Sequence, residues 1–333
     1  MINKGQIVKN YIKKFINTPS TSIAKKIYAE NSDLFKDAEE ARTMIRYYRG
    51  VRGKVSRKSK LNKDIHITPG KFENFYNLPK SDATKPKRFI LPAKNNNILV
   101  LSDLHIPYHD VQAISQAIKY GQENKINTII INGDLIDFFM ISRFTNVERK
   151  RSVGDELEIT REFLTVLNNA FPKVPIYFLL GNHDTRLEKY LAVKAPELLD
   201  VEEFQLETLL HSKEHNMQVF NTTTILKAGK LDIIHGDLLL RGMFAPVNPA
   251  RGAFLKAKAS VLVAHTHKVS THSEVTINGK VITCYSSGCL CELNPSYSPY
   301  TNNYSHGFAH VQVGSNGHYK VKNLQLIAGE FIN

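Results

Sequence analysis

Nowhere in the 333-residue chain do apolar side chains run for the roughly 18–20 positions that a membrane-spanning helix needs. The opening, "MINKGQIVKNYIKK", also lacks the apolar stretch and small-residue cleavage site of a secretory leader. Cysteine is scarce: Cys284, Cys289 and Cys291 lie close together and are odd in number. That argues against a disulfide framework and predicts a reducing, cytoplasmic setting with no membrane partner. Cys289-x-Cys291 has the spacing of half a metal site, but no second pair exists, so both read as buried thiols. Internal repeats and low-complexity tracts are missing too. What remains, 42% hydrophobic and 23% charged, is an ordinary globular composition, long enough for one large domain and a smaller one.

The formal net charge of +13 is unevenly spread. Residues 1–90 hold 21 Lys and Arg against 8 Asp and Glu, whereas residues 91–333 hold 23 of each. The whole excess sits in the N-terminal quarter, which predicts a module with a polyanionic partner. There Ile7, Tyr11, Ile12 and Phe15 recur at helical spacing, then "NTPSTS" interrupts. A second helix carries Ile23, Ala24 and Ile27 on one face. A third turns Ala41, Met44 and Ile45 inward, leaving Arg42, Arg46 and Arg49 outward, and Gly50 stops it. Residues 1–60 are therefore expected to form a basic helix-turn-helix-like module that binds nucleic acid. The plainer alternative is a solvated helical cap on the main domain. Residues 61–96, with scattered prolines and no sustained period, read as a linker to a domain over residues 97–333.

From Asn97 the texture changes. "NILVLSD", a helical stripe over Val111, Ile114, Ala117 and Ile118, and "NTIIINGD" make a strand–helix–strand unit with parallel strands. A further helix, "DELEITREFLTVLNNAF", leads to "PIYFLLGNHD"; later come "LDIIHGD", "SVLVAHTH" and a β-rich tail. Each of these five apolar runs ends in side chains capable of chemistry. They are Asp103 and His105; Asp134 and Asp137; Asn182, His183 and Asp184; His235; and His265 and His267. Ligands of open α/β sheets bind beyond the carboxyl ends of strands, so five such ends in one sheet region would bring these groups together. Imidazoles suit first-row transition metals, and carboxylates add charge and can bridge two ions. Two such ions clamp the attacking and leaving oxygens of a displacement at phosphorus and activate water near neutral pH.

The pattern resembles the calcineurin-like metallophosphoesterase superfamily, whose ordered signature is D-x-H, G-D-x-x-D, G-N-H-[DE], a lone H and G-H-x-H. Here it stands as Asp103-Leu104-His105, Gly133-Asp134-Leu135-Ile136-Asp137, Gly181-Asn182-His183-Asp184, His235 and Ala264-His265-Thr266-His267, within residues 97–326. The resemblance implies an α/β fold, an αββα sandwich of two mixed β-sheets flanked by helices, beside the small helical N-terminal domain. It implies one divalent metal ion on Asp103, His105, Asp134 and His267, and a second on Asp134, Asn182, His235 and His265. Mn2+ is the expected ion, with Fe, Zn and Ni also accepted by such ligands. His183 would then be the catalytic proton donor and Asp137 the group that holds it. Gly181 is expected to let the chain turn out of its strand, and Asp184 to cap the helix that follows.

One departure bears on substrate. Phosphoprotein phosphatases of this family continue the second block as G-D-x-x-D-R-G, with the arginine on the phosphate; here Phe138-Phe139 follows Asp137. That is closer to the nuclease and phosphodiesterase branches, with Arg143 and Arg186 as candidate substrate contacts. The expected function is a dinuclear metal-dependent phosphodiesterase or nuclease. The alternatives are a phosphomonoesterase and, behind it, a non-catalytic DNA-binding regulator.

Overall fold

The computed structural model describes residues 3–16, 18–50, 78–79, 81, 83, 86–142, 151–242, 247–294, 302–327 and 329–332. The chain divides into two compact units, Met1–Ala83 and Thr84–Asn333.

In the first unit, α1 (Lys4–Lys14), α2 (Ser20–Glu30) and α3 (Ala38–Tyr48) follow the apolar periodicity of the sequence. Asn3 caps α1 by accepting from the Gly5 N–H, and Asp37 caps α3 through the Glu40 N–H. Val8, Ile12, Ile23, Ala24, Ile27, Phe35, Ala41 and Ile45 close one apolar core. Arg49 departs from expectation. Its guanidinium turns inward and donates to Ser20 Oγ at 2.9 Å, Thr18 O at 2.9 Å and Ile16 O at 3.2 Å. Those carbonyls lie between α1 and α2, where chain leaving a helix has acceptors to satisfy. Arg49 is a clasp here, and the outward basic face loses it.

The second unit is two mixed sheets with helices outside them, an αββα sandwich. One sheet contains β2 (Asn97–Leu101), β3 (Thr128–Asn132), β4 (Ile176–Leu179) and β5 (Met217–Phe220), all parallel. β11 (Gly307–Val313), β12 (Tyr319–Ile327) and β13 (Glu330–Ile332) extend it antiparallel beyond β2. The other sheet runs in the order β1 (Arg88–Ile90), β6 (Ile225–Ala228), β7 (Leu231–Ile233), β8 (Val261–Val263), β10 (Val281–Ser287) and β9 (Val269–Val275). Strand β1 corrects the linker boundary: Arg88–Ile90 pairs in parallel with β6, although it sits in the stretch read as linker. A strand of three residues, set between Pro86 and Pro92, is too short to show a period.

The layering follows from side-chain alternation along each strand. Leu99, Leu101, Ile129 and Ile131 face α4 (Val111–Glu123) and α5 (Val153–Ala170), packing on Ala113, Ala117, Leu164 and Leu167. Their neighbours Ile98, Val100 and Ile130 point the other way, against Leu226, Leu231, Ile233 and Leu262 of the second sheet. A helix over Pro249–Ala257 covers that sheet's outer face through Ala250 and Ala253. Strands buried on both faces need near-continuous apolar runs, which is what the sequence shows at each of them. The five runs do not, however, end in one sheet. β2, β3 and β4 belong to one, β7 and β8 to the other. Among the described residues no helix is long and apolar enough to cross a membrane.

Candidate metal centre

The chain leaves its strands through strained backbone. Asp103, His105, Asp134, Phe138, His265 and His267 all take positive φ, between 49° and 67°. For residues other than glycine this region costs on the order of 1–3 kcal/mol each, and it persists where surrounding contacts over-determine it. Here the turns aim polar side chains back over the sheet ends. Gly181 is a different case. Its φ is not positive, so freedom to turn is not what it supplies. A Cβ there would overlap Asp134 Oδ1 and come within 2.8 Å of His235 Nε2. The glycine makes room for the site.

Asp103, His105 and His267 form one cluster of ligand-capable atoms, and Asp134, His235 and His265 another. His105 Nε2 lies 3.0 Å from His267 Nε2, which in turn is 3.4 Å from Asp103 Oδ1. Asp134 stands between the clusters, its Oδ2 3.7 Å from His105 Nε2 and 3.2 Å from His235 Nε2. Six of the seven residues implied by the sequence for two ions, Asp103, His105, Asp134, His235, His265 and His267, are thus brought together from both sheets. Arg143 lies outside the described residues; Arg186 does not.

Whether these residues suit a cation can be judged from their unmet bonding. Asp103 Oδ1, Asn182 Oδ1 and His235 Nε2 are buried and have no hydrogen-bond partner. Buried polar atoms are normally paired, because desolvation without compensation costs several kcal/mol. These three are lone-pair donors of the kinds that hold divalent metals. Electrostatics says the same. Burial opposes a charged imidazole, yet the Asp134 carboxylate pushes His235 up to about 10, and Asp103 pushes His267 up to about 10. The site demands positive charge, and divalent cations fit it.

The surrounding groups fix each ring. His235 holds its Nδ1 against Asn132 O at 2.8 Å. Asp137 does more than was expected of it. Its Oδ1 meets His183 Nδ1 at 2.8 Å and also His105 Nδ1 at 2.9 Å, so one carboxylate steadies both rings. Despite burial, those two hydrogen bonds hold the Asp137 carboxyl well below its ordinary range. With Nδ1 so engaged, His183 presents Nε2, and Arg186 Nη2 lies 3.1 Å from it. Arg186 is itself anchored by donating to Asp137 O at 2.8 Å. Burial opposes the charged form of His183, but Asp134 and Asp137 raise its pKa overall.

Asp184 is not a helix cap. The helix α6 (Arg186–Lys194) starts at Thr185 without a side-chain cap. The Asp184 carboxylate instead accepts from Gly181 N and Asp134 N, each at 2.7 Å, Leu135 N at 3.0 Å and Ile136 N at 3.1 Å. It ties the β4 exit to the β3 exit and holds Asp134 in its strained turn. Position before a helix suggested a cap; a fully buried carboxylate needs more donors than one helix end offers.

Glu156 escaped the sequence reading altogether. It lies on the buried face of α5, only 1% exposed, its Oε1 accepting from Phe139 N at 3.2 Å and its Oε2 unpartnered. A glutamate in an amphipathic helix carries no mark of burial in sequence.

Carboxylates and imidazoles gathered at the strand ends of an αββα sandwich define a metal-dependent phosphoester hydrolase. More particularly, the chain belongs to the calcineurin-like phosphoesterase family, which matches residues 97–293; the family is dinuclear and metal-dependent. The Gene 54 protein of Mycobacterium phage L5 is similar, 27% identical over 250 residues, covering 71% of this chain and 96% of that protein. Among solved structures, a Vps29 point mutant from Entamoeba histolytica is 15% identical over 71% of this chain and 96% of its own, with a TM-score of 0.37. Yfce, a phosphoesterase from E. coli, is 13% identical over 68% of this chain and 98% of its own, with a TM-score of 0.34.

Proposed function

We propose that this enzyme is a two-metal phosphodiesterase acting on nucleic acid. In this reading Asp103, His105, Asp134 and His267 hold one ion, and Asp134, Asn182, His235 and His265 hold the other, with Mn2+ as the working metal. The observation that carries it is the trio of buried, unpartnered ligand atoms on Asp103, Asn182 and His235. Bound divalent ions would supply a deprotonated water and neutralise charge on the phosphoryl oxygens. His183, with Nδ1 committed to Asp137, gives a proton from Nε2 to the leaving oxygen. Arg186 stands beside that nitrogen and grips a phosphoryl oxygen once substrate separates the two.

Two features favour a diester on a polynucleotide. Phe138 occupies the position where phosphatases of the family carry arginine, and the excess positive charge sits in residues 1–90. The three-helix unit is read as the nucleic-acid contact. Its α2 and α3 are separated by residues 31–37, longer than the 3–4-residue turn of a helix-turn-helix, so a variant of that motif is proposed. The second reading, a phosphomonoesterase, draws on Arg186, which could replace the missing arginine from another strand end.

The deciding experiment loads the full chain with Mn2+ and compares DNA, RNA, a bis-aryl phosphate and a mono-aryl phosphate. Cleavage of polynucleotide and bis-aryl ester, abolished in Asp134→Asn, is expected. Turnover of the mono-aryl ester alone would sink the nuclease reading.

A further inference from the structure

Three rings of the centre, those of His105, His235 and His267, differ in what lies behind them. His105 and His235 turn Nε2 inward and rest Nδ1 on oxygen, from Asp137 and Asn132 respectively. His267 also turns Nε2 inward, but its Nδ1 faces sulfur: Cys291 Sγ lies 3.9 Å away. Behind that thiol is another. The ligand atoms of Cys289, Cys291 and His267 all lie within 4.8 Å of one another, in residues 0%, 1% and 6% exposed. Each cysteine is held at an isolated bridge, Cys289 opposite His306 and Cys291 opposite His109, on either side of a bend at Leu290.

The dimensions are those of a known kind of site. Tetrahedral zinc, with Zn–S of about 2.3 Å and Zn–N of about 2.0–2.1 Å, sets its ligand atoms roughly 3.5–3.8 Å apart. The 3.9 Å separation of Cys291 Sγ and His267 Nδ1 is close to that already. Nothing polar beyond these three is needed to favour a soft cation, because thiolate donors select zinc and cadmium over manganese.

We propose that Cys289, Cys291 and Nδ1 of His267 form a separate site for a thiophilic divalent cation of the zinc class, adjoining the phosphoesterase centre. Binding releases three protons to solvent, one from each thiol and one from His267 Nδ1, and forms two metal–sulfur bonds and one metal–nitrogen bond. A cation there pins the loop after β10 to the loop after β8 and fixes the back of the His267 ring. The placement of Nε2 in the catalytic centre rests on the ligand reading above; the thiol pair does not. Sequence spacing concealed the site because its third ligand, His267, already belonged to another motif.

Cadmium titration of the metal-free full chain tests this. Thiolate-to-cadmium absorption in the ultraviolet should rise to the amplitude of one two-thiolate site per chain. Cys289→Ser and Cys291→Ser should each remove most of it, and Cys284→Ser, whose thiol donates to Ala259 O, should leave it intact. No such absorption in the wild type, its survival in the Cys289→Ser/Cys291→Ser pair, or its loss with Cys284→Ser would overturn the proposal. X-ray absorption of the zinc-loaded wild type needs no variant: sulfur neighbours at about 2.3 Å are expected, and nitrogen and oxygen neighbours alone would refute the site. Asp134→Asn separates the two readings, because it should empty the manganese centre and keep the thiolate signal.

Discussion

The two units handle charge in opposite ways. In the C-terminal unit key ionisable groups are buried: Asp103, His105, Asp134, Asp137 and His235 are each at most 1% exposed, and two of their atoms, Asp103 Oδ1 and His235 Nε2, lack hydrogen-bond partners. Among the described residues of the N-terminal unit most charges lie at the surface, Arg49 excepted, and find small local uses. Arg42 pairs with Glu39, Arg49 clasps a turn, and Lys4, Lys9, Lys14 and Lys26 lie over the rings of Phe35, Tyr48 and Phe15. Burial makes a group's purpose readable, because each unpaired atom is expensive and must be answered by something. Exposure does not, since a solvated lysine costs nothing without a partner. Residues 1–50 carry 10 basic against 5 acidic side chains, and residues 51–90 carry 11 against 3. The denser part of the basic excess thus follows the helices, and it falls largely outside the described residues.

If buried charge is where function lives, breaking it should have the largest effect. Asp134→Asn keeps size but removes the charge that faces His105, His183 and His235. Loss of more than ~10³-fold in kcat is expected, with a drop in bound manganese measured by elemental analysis. His183→Ala should cost about 10²–10⁴-fold in kcat while metal content stays at the wild-type value. A fall in metal content there would make His183 a ligand and overturn its role as acid. Asp137→Asn is intermediate in kind. Because it touches both His105 and His183, it should lower both metal affinity and kcat by about 10–100-fold.

That double contact marks the limit of what the sequence could say. The five strand-end motifs, the parallel β2–β3 unit and the helical periodicities were legible because each is a local pattern of period or spacing. Which sheet each strand joined was not local: β7 and β8 face β2–β4 across the apolar interior, where Ile233 and Leu262 meet Val100 and Ile130. Partners that are backbone atoms were also invisible, as with Asn132 O behind His235 and the four N–H groups around Asp184. Arg49 was expected to face outward and turns inward, and nothing in the sequence marked Glu156 as buried.

The N-terminal unit is best tested by removal. Deleting residues 1–83, rather than 1–90, spares β1, whose loss would expose the edge of β6. Turnover of a small bis-aryl phosphate should be unchanged within about twofold, because every group of the centre lies beyond residue 97. Nucleic-acid affinity should fall on the order of 10- to 100-fold at low salt, with a flatter dependence of log K on log salt. An unchanged salt slope would make the basic unit a cap, and the contrast between the units would then be one of stability alone.

The smallest effects compare one substitution in both units. Burial and the neighbouring Asp137 push Glu156 from 4.5 up to about 7. An acid whose folded pKa is raised loses stability as pH rises, from the unfolded value through the folded one. Glu156→Gln should therefore match the wild type in acid and exceed it above neutrality, by at most about 3 kcal/mol. Glu40 is the reverse case. Hydrogen bonds from the Lys4 ammonium at 2.6 Å and the Lys36 N–H at 2.7 Å hold its pKa below the ordinary value. Its contribution is present above the unfolded pKa and disappears as pH falls through the folded one. Glu40→Gln should lower the melting temperature slightly at neutral pH, converge with wild type in acid, and lose its effect in high salt. Melting curves of both variants across pH should thus diverge from wild type in opposite directions. If Glu156→Gln instead destabilised at high pH, its carboxylate would be ionised and bonded, and Arg186 would be the first partner to examine.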